Sequence, residues 1–181
     1  MKIENDNLMI INPSYDYKED IWAFRQEVID LGEDMIPGGG GLFRASNFEE
    51  WMAELKLYEK EETCPEGKVP AVQFITVRKS DNKVVGVINV RLKLNAFLEH
   101  FAGHIGDCVR PSERKKGYGS AQISLALKYC KEINLSPIMI TCKVDNIASD
   151  KTILNNGGVL NSIVEHDGEK FKKYFIDTTK L

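Results

Sequence analysis

The stretch from residue 108 to residue 120, CVRPSERKKGYGS, decides how the rest of the chain is read. Cys108 and Val109 close a run that begins at Gly103, and Pro111, which has no backbone N–H to give a sheet, stops a strand there. From Gly119 onward Ile123, Ala126, Leu127, Cys130 and Ile133 recur at helical spacing. A strand therefore runs into a helix through two glycines, Gly117 and Gly119, and four cations, Arg110, Arg114, Lys115 and Lys116. The first amides of a helix have no partner within it, and the dipole places positive potential there, so such a junction suits a phosphate. The glycines let the backbone come close to the anion. Each exposed cation adds only about 0.5 kcal/mol at cellular salt, so the amides should carry the binding. Neither the G-x-G-x-x-G of a dinucleotide fold nor the G-x-x-x-x-G-K-[ST] of a P-loop is present. A plain strand-to-helix turn with solvated lysines has the same letters, and the surroundings must decide between the two.

Downstream, residues 138–144 are a short apolar strand and residues 146–156 a short helix ended by Gly157. Residues 159–165 and 169–176 flank Asp167-Gly168, a two-residue hairpin turn. Upstream, residues 74–78 and 84–94 alternate at period two around a turn at residues 80–82, which predicts an antiparallel pair, with residues 103–109 as a third strand. Ser46 and Glu49 have capping-box spacing ahead of Phe48, Trp51, Met52 and Leu55, predicting a helix to about Glu61 that residues 64–70 break. Four consecutive glycines at 38–41 predict a mobile loop. Ile21, Phe24, Val28 and Leu31 mark an earlier helix that ends near Gly32, and residues 8–11 a first strand. Strand, two helices, three strands, helix, strand, helix, two strands is the order of an α/β (α+β) fold. Its expected form is a mixed, mostly antiparallel sheet of about seven strands with helices on both faces.

The chain has 181 residues, 43% of them hydrophobic and 28% charged, with 24 basic against 27 acidic side chains for a formal net charge of −3. No repeat, low-complexity tract or long linker divides it, so residues 1–181 read as one domain. At that length a core buries roughly 70% of the surface the unfolded chain exposes, so disulfides and structural metal are unnecessary. The charge balance argues against a nucleic-acid binder that works by counterion release. No run approaches the roughly 18 apolar residues of a membrane span, and residues 1–10 lack an export signal's basic start, so no membrane partner is expected. Cys64, Cys108, Cys130 and Cys142 have no C-x-x-C spacing and read as reduced thiols in a cytoplasmic protein.

With these elements in place, the sequence resembles the GNAT acyltransferases, which use coenzyme A thioesters. The element order matches over nearly the whole chain, and residues 103–158 carry the specific part. Residues 114–119, RKKGYG, fit the family's Gln or Arg, two residues, Gly, one residue, then Gly or Ala, with Val109 and Pro111 at the usual places ahead. The resemblance implies that main-chain groups of Cys108, Val109, Arg114, Lys115, Lys116, Gly117, Tyr118, Gly119 and Ser120 hold acetyl-CoA. It implies that Asn146, at the start of the next helix, contacts the pantetheine arm. It also implies a V-shaped gap between the strand ending near Val109 and the strand at residues 138–144, with a bulge near Cys108 whose amide stabilises an oxyanion. Residues 1–70 become the acceptor side and residues 71–181 the cofactor-binding core. The expected reaction is direct transfer of acetyl to an amine of a small molecule or peptide; the alternative is a silent acetyl-CoA sensor or scaffold, and a third reading is a different phosphate-containing nucleotide. A homodimer through the last two strands is in keeping with relatives.

An amine of pKa near 10.4 costs about 4.6 kcal/mol to present neutral at pH 7, so a base should assist. Relatives often place one four or six residues before the valine, where this chain has Ile105 and Gly103. Asp107 lies on the same alternating face and is the candidate catalytic residue, provided burial raises its pKa. His104 should face the other way. The tyrosine that many relatives carry seven residues after the asparagine is here Ile153, leaving Tyr174 or Tyr118 to protonate the thiolate. His100 and His104 are four apart but not in a helical context, and no metal is expected. Trp22, Phe24, Phe43, Phe48 and Trp51 could line an acceptor pocket or be core, and Glu33 and Asp34 could attract a cationic acceptor or be a solvated helix end.

Overall fold

Alternating runs of Val, Ile and Phe pair through their backbones, and the five nearest the N-terminus make one sheet. In the computed structural model, which describes residues 1–181, these are β1 (Lys2–Glu4), β2 (Leu8–Ile11), β3 (Ala71–Arg78), β4 (Lys83–Arg91) and β5 (Ile105–Val109), side by side in that order. β6 (Ile138–Lys143), β7 (Val159–His166) and β8 (Glu169–Ile176) form a second sheet in the order β6-β8-β7. Every pairing within them is antiparallel. Eight strands thus replace the expected seven or so. The extra one, β1, buries only Ile3 and is too short for alternation to reveal it.

The helices are α1 (Lys18–Asp30), α2 (Phe48–Leu57), α3 (Ala96–His100), α4 (Tyr118–Glu132) and α5 (Ile147–Asn155). α1 and α2 cover one face of the first sheet, where Ile21, Phe24, Phe48 and Trp51 pack with Ile75 and Val87. α4 covers the other, where Ile123, Ala126 and Leu127 pack with Phe74, Ile88 and Val90. β4 is apolar on both sides because both its faces are covered. Burying each such side chain stabilises the fold by about 1.5–3 kcal/mol.

Several boundaries differ from the sequence reading. α2 is capped one residue later than Ser46 and Glu49 suggest: the Asn47 side chain accepts from Glu50 N–H at 2.8 Å, and the Glu50 carboxylate accepts from Ser46 N–H at 3.0 Å. The helix stops at Leu57, four residues early, where Tyr58 N–H turns back to the Leu55 carbonyl. α3 is absent from the sequence reading. Its five residues are too few for a periodic signal, and it is held by an Asn95 cap and by Phe97 and Phe101 against His166. β4 therefore ends at Arg91 instead of Leu94, and β5 begins at Ile105.

The glycines at 38–41 are packed. Trp51 Nε1 donates to the carbonyls of Gly39 and Gly40 at 2.9 and 3.0 Å, and Gln73 Nε2 donates to that of Gly38 at 2.9 Å. Gly38 has φ +69°, and a Cβ there would lie 2.0 Å from the Gly106 carbonyl oxygen of β5. Only glycine lets the loop lie on that strand. Gly38→Ala is expected to lower stability by about 2–4 kcal/mol, combining left-handed strain with a backbone overlap. The readout is the urea midpoint, and an unchanged value would mean that the loop lifts off β5 without cost.

The two sheets touch at one bridge, Gly103 opposite Ile140. His104 N–H donates to the Met139 carbonyl at 2.8 Å, and Met139 N–H donates to His104 Nδ1 at 3.0 Å. Beyond it β5 and β6 do not pair, which leaves a wedge open toward Val109. The β4–β5 register is regular through Cys108; the bulge sits in β4 at Val85, opposite Thr76 and Val77. No helix is long and apolar enough to cross a membrane.

Candidate active site

The loop between β5 and α4 curls because Lys115 and Gly117 both have left-handed backbones, φ 62° and 83°. Left-handed residues in a turn aim successive N–H groups into one concavity, which is an anion-binding geometry. The N–H groups of residues 115–120 find no acceptor anywhere in the protein; the first helical bond of this segment is Ala121 N–H to the Gly117 carbonyl at 3.2 Å. Six adjacent donors at a helix N-terminus are thus left without a partner. Asn156, which sequence reasoning did not single out, holds the first turn in place, its amide donating to Ser120 O and Ser120 Oγ at 3.1 Å each.

The cations have other duties. Arg110 is buried and clamps α1 to the sheet, donating to Asp20 at 2.5 Å, Glu27 at 2.7 Å and the Val84 carbonyl at 3.1 Å. Arg114 forks onto Glu33 at 2.6 and 2.9 Å, so Glu33 is neither free for an acceptor nor a solvated helix end. Lys116 joins Arg78 and Lys83 on the buried Glu113. Burial alone would raise the Glu113 pKa, but these three hydrogen bonds hold it at about 2. Lys115 alone of the four has no acidic partner. The unpaired amides are therefore the feature of this loop best suited to an anion, and Glu113 is the buried acid that gathers the loop's surroundings.

Backbone parity decides what the wedge offers. Arg91 N–H donates to the His104 carbonyl and Arg110 N–H to the Val85 carbonyl, so on β5 the groups of Gly106 and Cys108 face β4. Those of Asp107 and Val109 face the gap. Cys108, expected to supply the oxyanion donor, is thereby corrected: its N–H and C=O belong to the sheet, and the Asp107 N–H is the donor exposed to the gap. The Cys108 thiol is buried and pushed up to about 12, so it stays protonated. Asn146 caps α5 by accepting Ser149 N–H at 3.0 Å, with its amide nitrogen left exposed.

The Asp107 side chain faces α4, where it accepts from Gln122 Nε2 at 2.7 Å. The Gln122 oxygen in turn accepts from the buried Thr76 hydroxyl at 2.8 Å. Burial pushes Asp107 up to about 6, against a smaller downward pull from Gln122. No cation pairs with it. His104 is pushed down to about 4, first by burial and then by Arg91, and stays neutral. Ile153 is core; the Tyr174 hydroxyl is bonded to Asp150 and the Tyr118 hydroxyl to Arg78 at 3.0 Å.

On the α2 side a cleft of about 820 Å³ opens against β3 and β4. Gln73, Asn89 and Arg91 form its floor, with Met52, Leu55 and Tyr58 on one wall and Phe97 on another. Its glycine wall, through Gly38, touches β5 at Gly106, one residue from the gap-facing Asp107 N–H. Of the five aromatics that could line a pocket or be core, none lines this cleft: Phe24, Phe48 and Trp51 are fully buried core, Trp22 and Phe43 pack against that core, and Trp22 also stacks under Arg25 at 4.7 Å. Asn89 and Arg91 were legible as polar residues interrupting a valine-rich strand, a signal that the sequence reading passed over. No three His, Cys, Asp or Glu side chains converge as metal ligands.

Among curated proteins no sequence matches the chain. Residues 41–153 match the model of the Acetyltransferase (GNAT) family. Among solved structures, an acetyltransferase (GNAT family) from Bacillus anthracis is 21% identical, with 99% of each chain covered and a TM-score of 0.66. The microcin C7 self immunity acetyltransferase MccE, in complex with acetyl-CoA and AMP, is 17% identical over 96% of this chain and 93% of that one, TM-score 0.68. The spermidine/spermine N-acetyltransferase SpeG from Vibrio cholerae is 14% identical over 97% and 96%, TM-score 0.66. At these identities the solved structures share the fold.

Proposed function

The chain belongs to the acetyltransferase (GNAT) family, and on that premise we propose that it transfers acetyl from acetyl-CoA to an amine of a small molecule or peptide by direct attack in a ternary complex. The observation that carries this reading is the set of unpaired N–H groups at residues 115–120, which fits a diphosphate. The backbones of Asp107 and Val109 would pair with the amide-containing pantetheine arm as a strand would, and the exposed amide of Asn146 would flank it. The Asp107 N–H would stabilise the oxyanion, and its carboxylate, with a pKa of about 6 but on the α4 face of β5, would take the proton of the attacking amine through water in the gap. The absence of any activated thiol supports direct transfer over an acyl-enzyme: burial pushes Cys108 and Cys130 up to about 12 and Cys142 to about 11. No metal takes part in this reading.

The same reading makes residues 1–181 one acyltransferase unit, although the floor of the cleft belongs to β3 and β4 and so extends the acceptor side past residue 70. Its unpaired cysteines suit the cytoplasm. The exposed Val159, Leu160 and Ile163 of β7 would support a homodimer. A second reading, a silent acetyl-CoA sensor, is favoured by one observation: Ile153 stands at the acid position while the Tyr174 hydroxyl is given to Asp150; against it, the Tyr118 hydroxyl only accepts from Arg78 and keeps a proton to donate. Calorimetry with acetyl-CoA beside a thiol-release assay over an amine panel separates them. Binding with amine-dependent thiol release is expected; binding with none makes the protein a sensor. Equal affinity for ADP and coenzyme A would remove the pantetheine groove from both readings.

A further inference from the structure

We propose that the acceptor carries a carboxylate close to its amine, and that Arg91 on the cleft floor receives that carboxylate while Asn89 receives the amine. The inference rests on the acetyl-transfer reading and narrows its substrate class. Arg91 has five N–H donors, of which one group is used: Nη1 donates to the Gly103 carbonyl at 2.8 Å. No carboxylate lies within ion-pair distance of it, whereas Arg78, Arg110 and Arg114 are each paired with acids. No buried side-chain nitrogen in the protein lacks a partner, so the remaining Arg91 donors open into the cleft they line. A half-buried guanidinium without a counterion is costly unless something supplies the charge, and a bidentate carboxylate matches its fork.

Its neighbour on the same strand face completes the pattern. Asn89 donates its amide N–H to Gln73 Oε1 at 3.1 Å, which leaves its oxygen as an acceptor in the cleft. Alternate residues on a strand are about 6.8 Å apart, within the compass of one small amino acid. Asn89 stands opposite Gly106 and Arg91 opposite His104, so the amine end lies beside Gly106, one residue from the gap-facing Asp107 N–H, and the carboxylate end toward the bridge at Gly103. Arg44 and Lys68 on the cleft walls, neither in an ion pair, favour the same charge sign, with Glu54 and Glu59 opposing them. A polyamine would meet this floor cation-first.

The test has a binding arm and a turnover arm. With coenzyme A present, calorimetry compares N-acetylglycine, N-acetylaspartate and N-acetylleucine with their carboxamides. The carboxylates are expected to bind at least tenfold more tightly, and Arg91→Met should erase the difference while the coenzyme A affinity is unchanged. Arg91→Lys, which keeps the charge and loses the fork, should retain part of the preference. In the turnover arm, free amino acids, their amides and a peptide with N-terminal Asp are offered with acetyl-CoA. Activity on the free amino acids alone assigns a small acceptor; activity on the peptide as well assigns the same carboxylate chemistry to a chain end. Equal binding of carboxylates and carboxamides by the unaltered protein overturns the inference. Thiol release from amines irrespective of their charge would also overturn it while sparing the acetyltransferase reading. Carboxylate-selective binding without any thiol release would keep the Arg91 site and refute turnover.

Discussion

Gly117→Val is expected to weaken coenzyme A binding about 100-fold while leaving the unfolding free energy within about 1 kcal/mol. Gly117 has φ +83° with open space where a Cβ would go, so the change meets no neighbour; what it loses is the backbone angle. A β-branched residue in that region costs about 1–2 kcal/mol, and a loop with no packing to oppose relaxation gives way. The donors at 115–120 then no longer converge. Charge-assisted hydrogen bonds contribute about 1.5–3 kcal/mol each, so losing two accounts for the expected ratio. Acetyl-pantetheine, which has no diphosphate, should bind both forms alike. Equal losses for the two ligands, or none, would sink the cradle as the diphosphate site. Because Arg110, Arg114 and Lys116 are already neutralised by acids, raising salt from about 50 mM to about 300 mM should weaken binding only a few-fold.

That cradle was legible because its signal is local: a proline stop, two glycines and a helical stripe within residues 108–133. The order of the longer elements was legible for the same reason. What could not be read depends on chain segments far apart. Arg110 meets Asp20 and Glu27, and Arg114 meets Glu33, across more than eighty residues, so four apparent ligand cations reduce to one without an acid. The glycines at 38–41 were expected to be mobile on entropy alone; their contact with Gly106, 68 residues on, determines their conformation. Parity was the subtler loss. Which of Asp107 and Cys108 turns its amide to the gap depends on how β5 registers on β4, and a shift of one residue exchanges them. Sequence could nominate the pair but not the member.

The consequence of that parity can be measured at Asp107. Its carboxyl is bonded to Gln122, has no cation and titrates near 6, against an unfolded value near 3.8. A carboxyl raised on folding favours the folded state most below about pH 4 and loses that contribution as pH climbs through 6. At pH 8 the ionised form therefore costs up to about 3 kcal/mol relative to its unfolded state. Asp107→Asn removes the ionisation and keeps an oxygen for the Gln122 amide. The variant should be more stable than the parent by up to about 3 kcal/mol at pH 8 and equal to it near pH 4, read from urea midpoints. If Asp107 is also the base, the same change lowers kcat/KM by about 100-fold or more at pH 7 and abolishes the acid limb near pH 6. A protein that gains stability and loses its rate is one in which folding has held a carboxylate where only the reaction needs it. Gained stability with an intact rate and pH profile would leave Asp107 a buried acid of β5 held against α4 and move the base elsewhere, to water or to the acceptor itself.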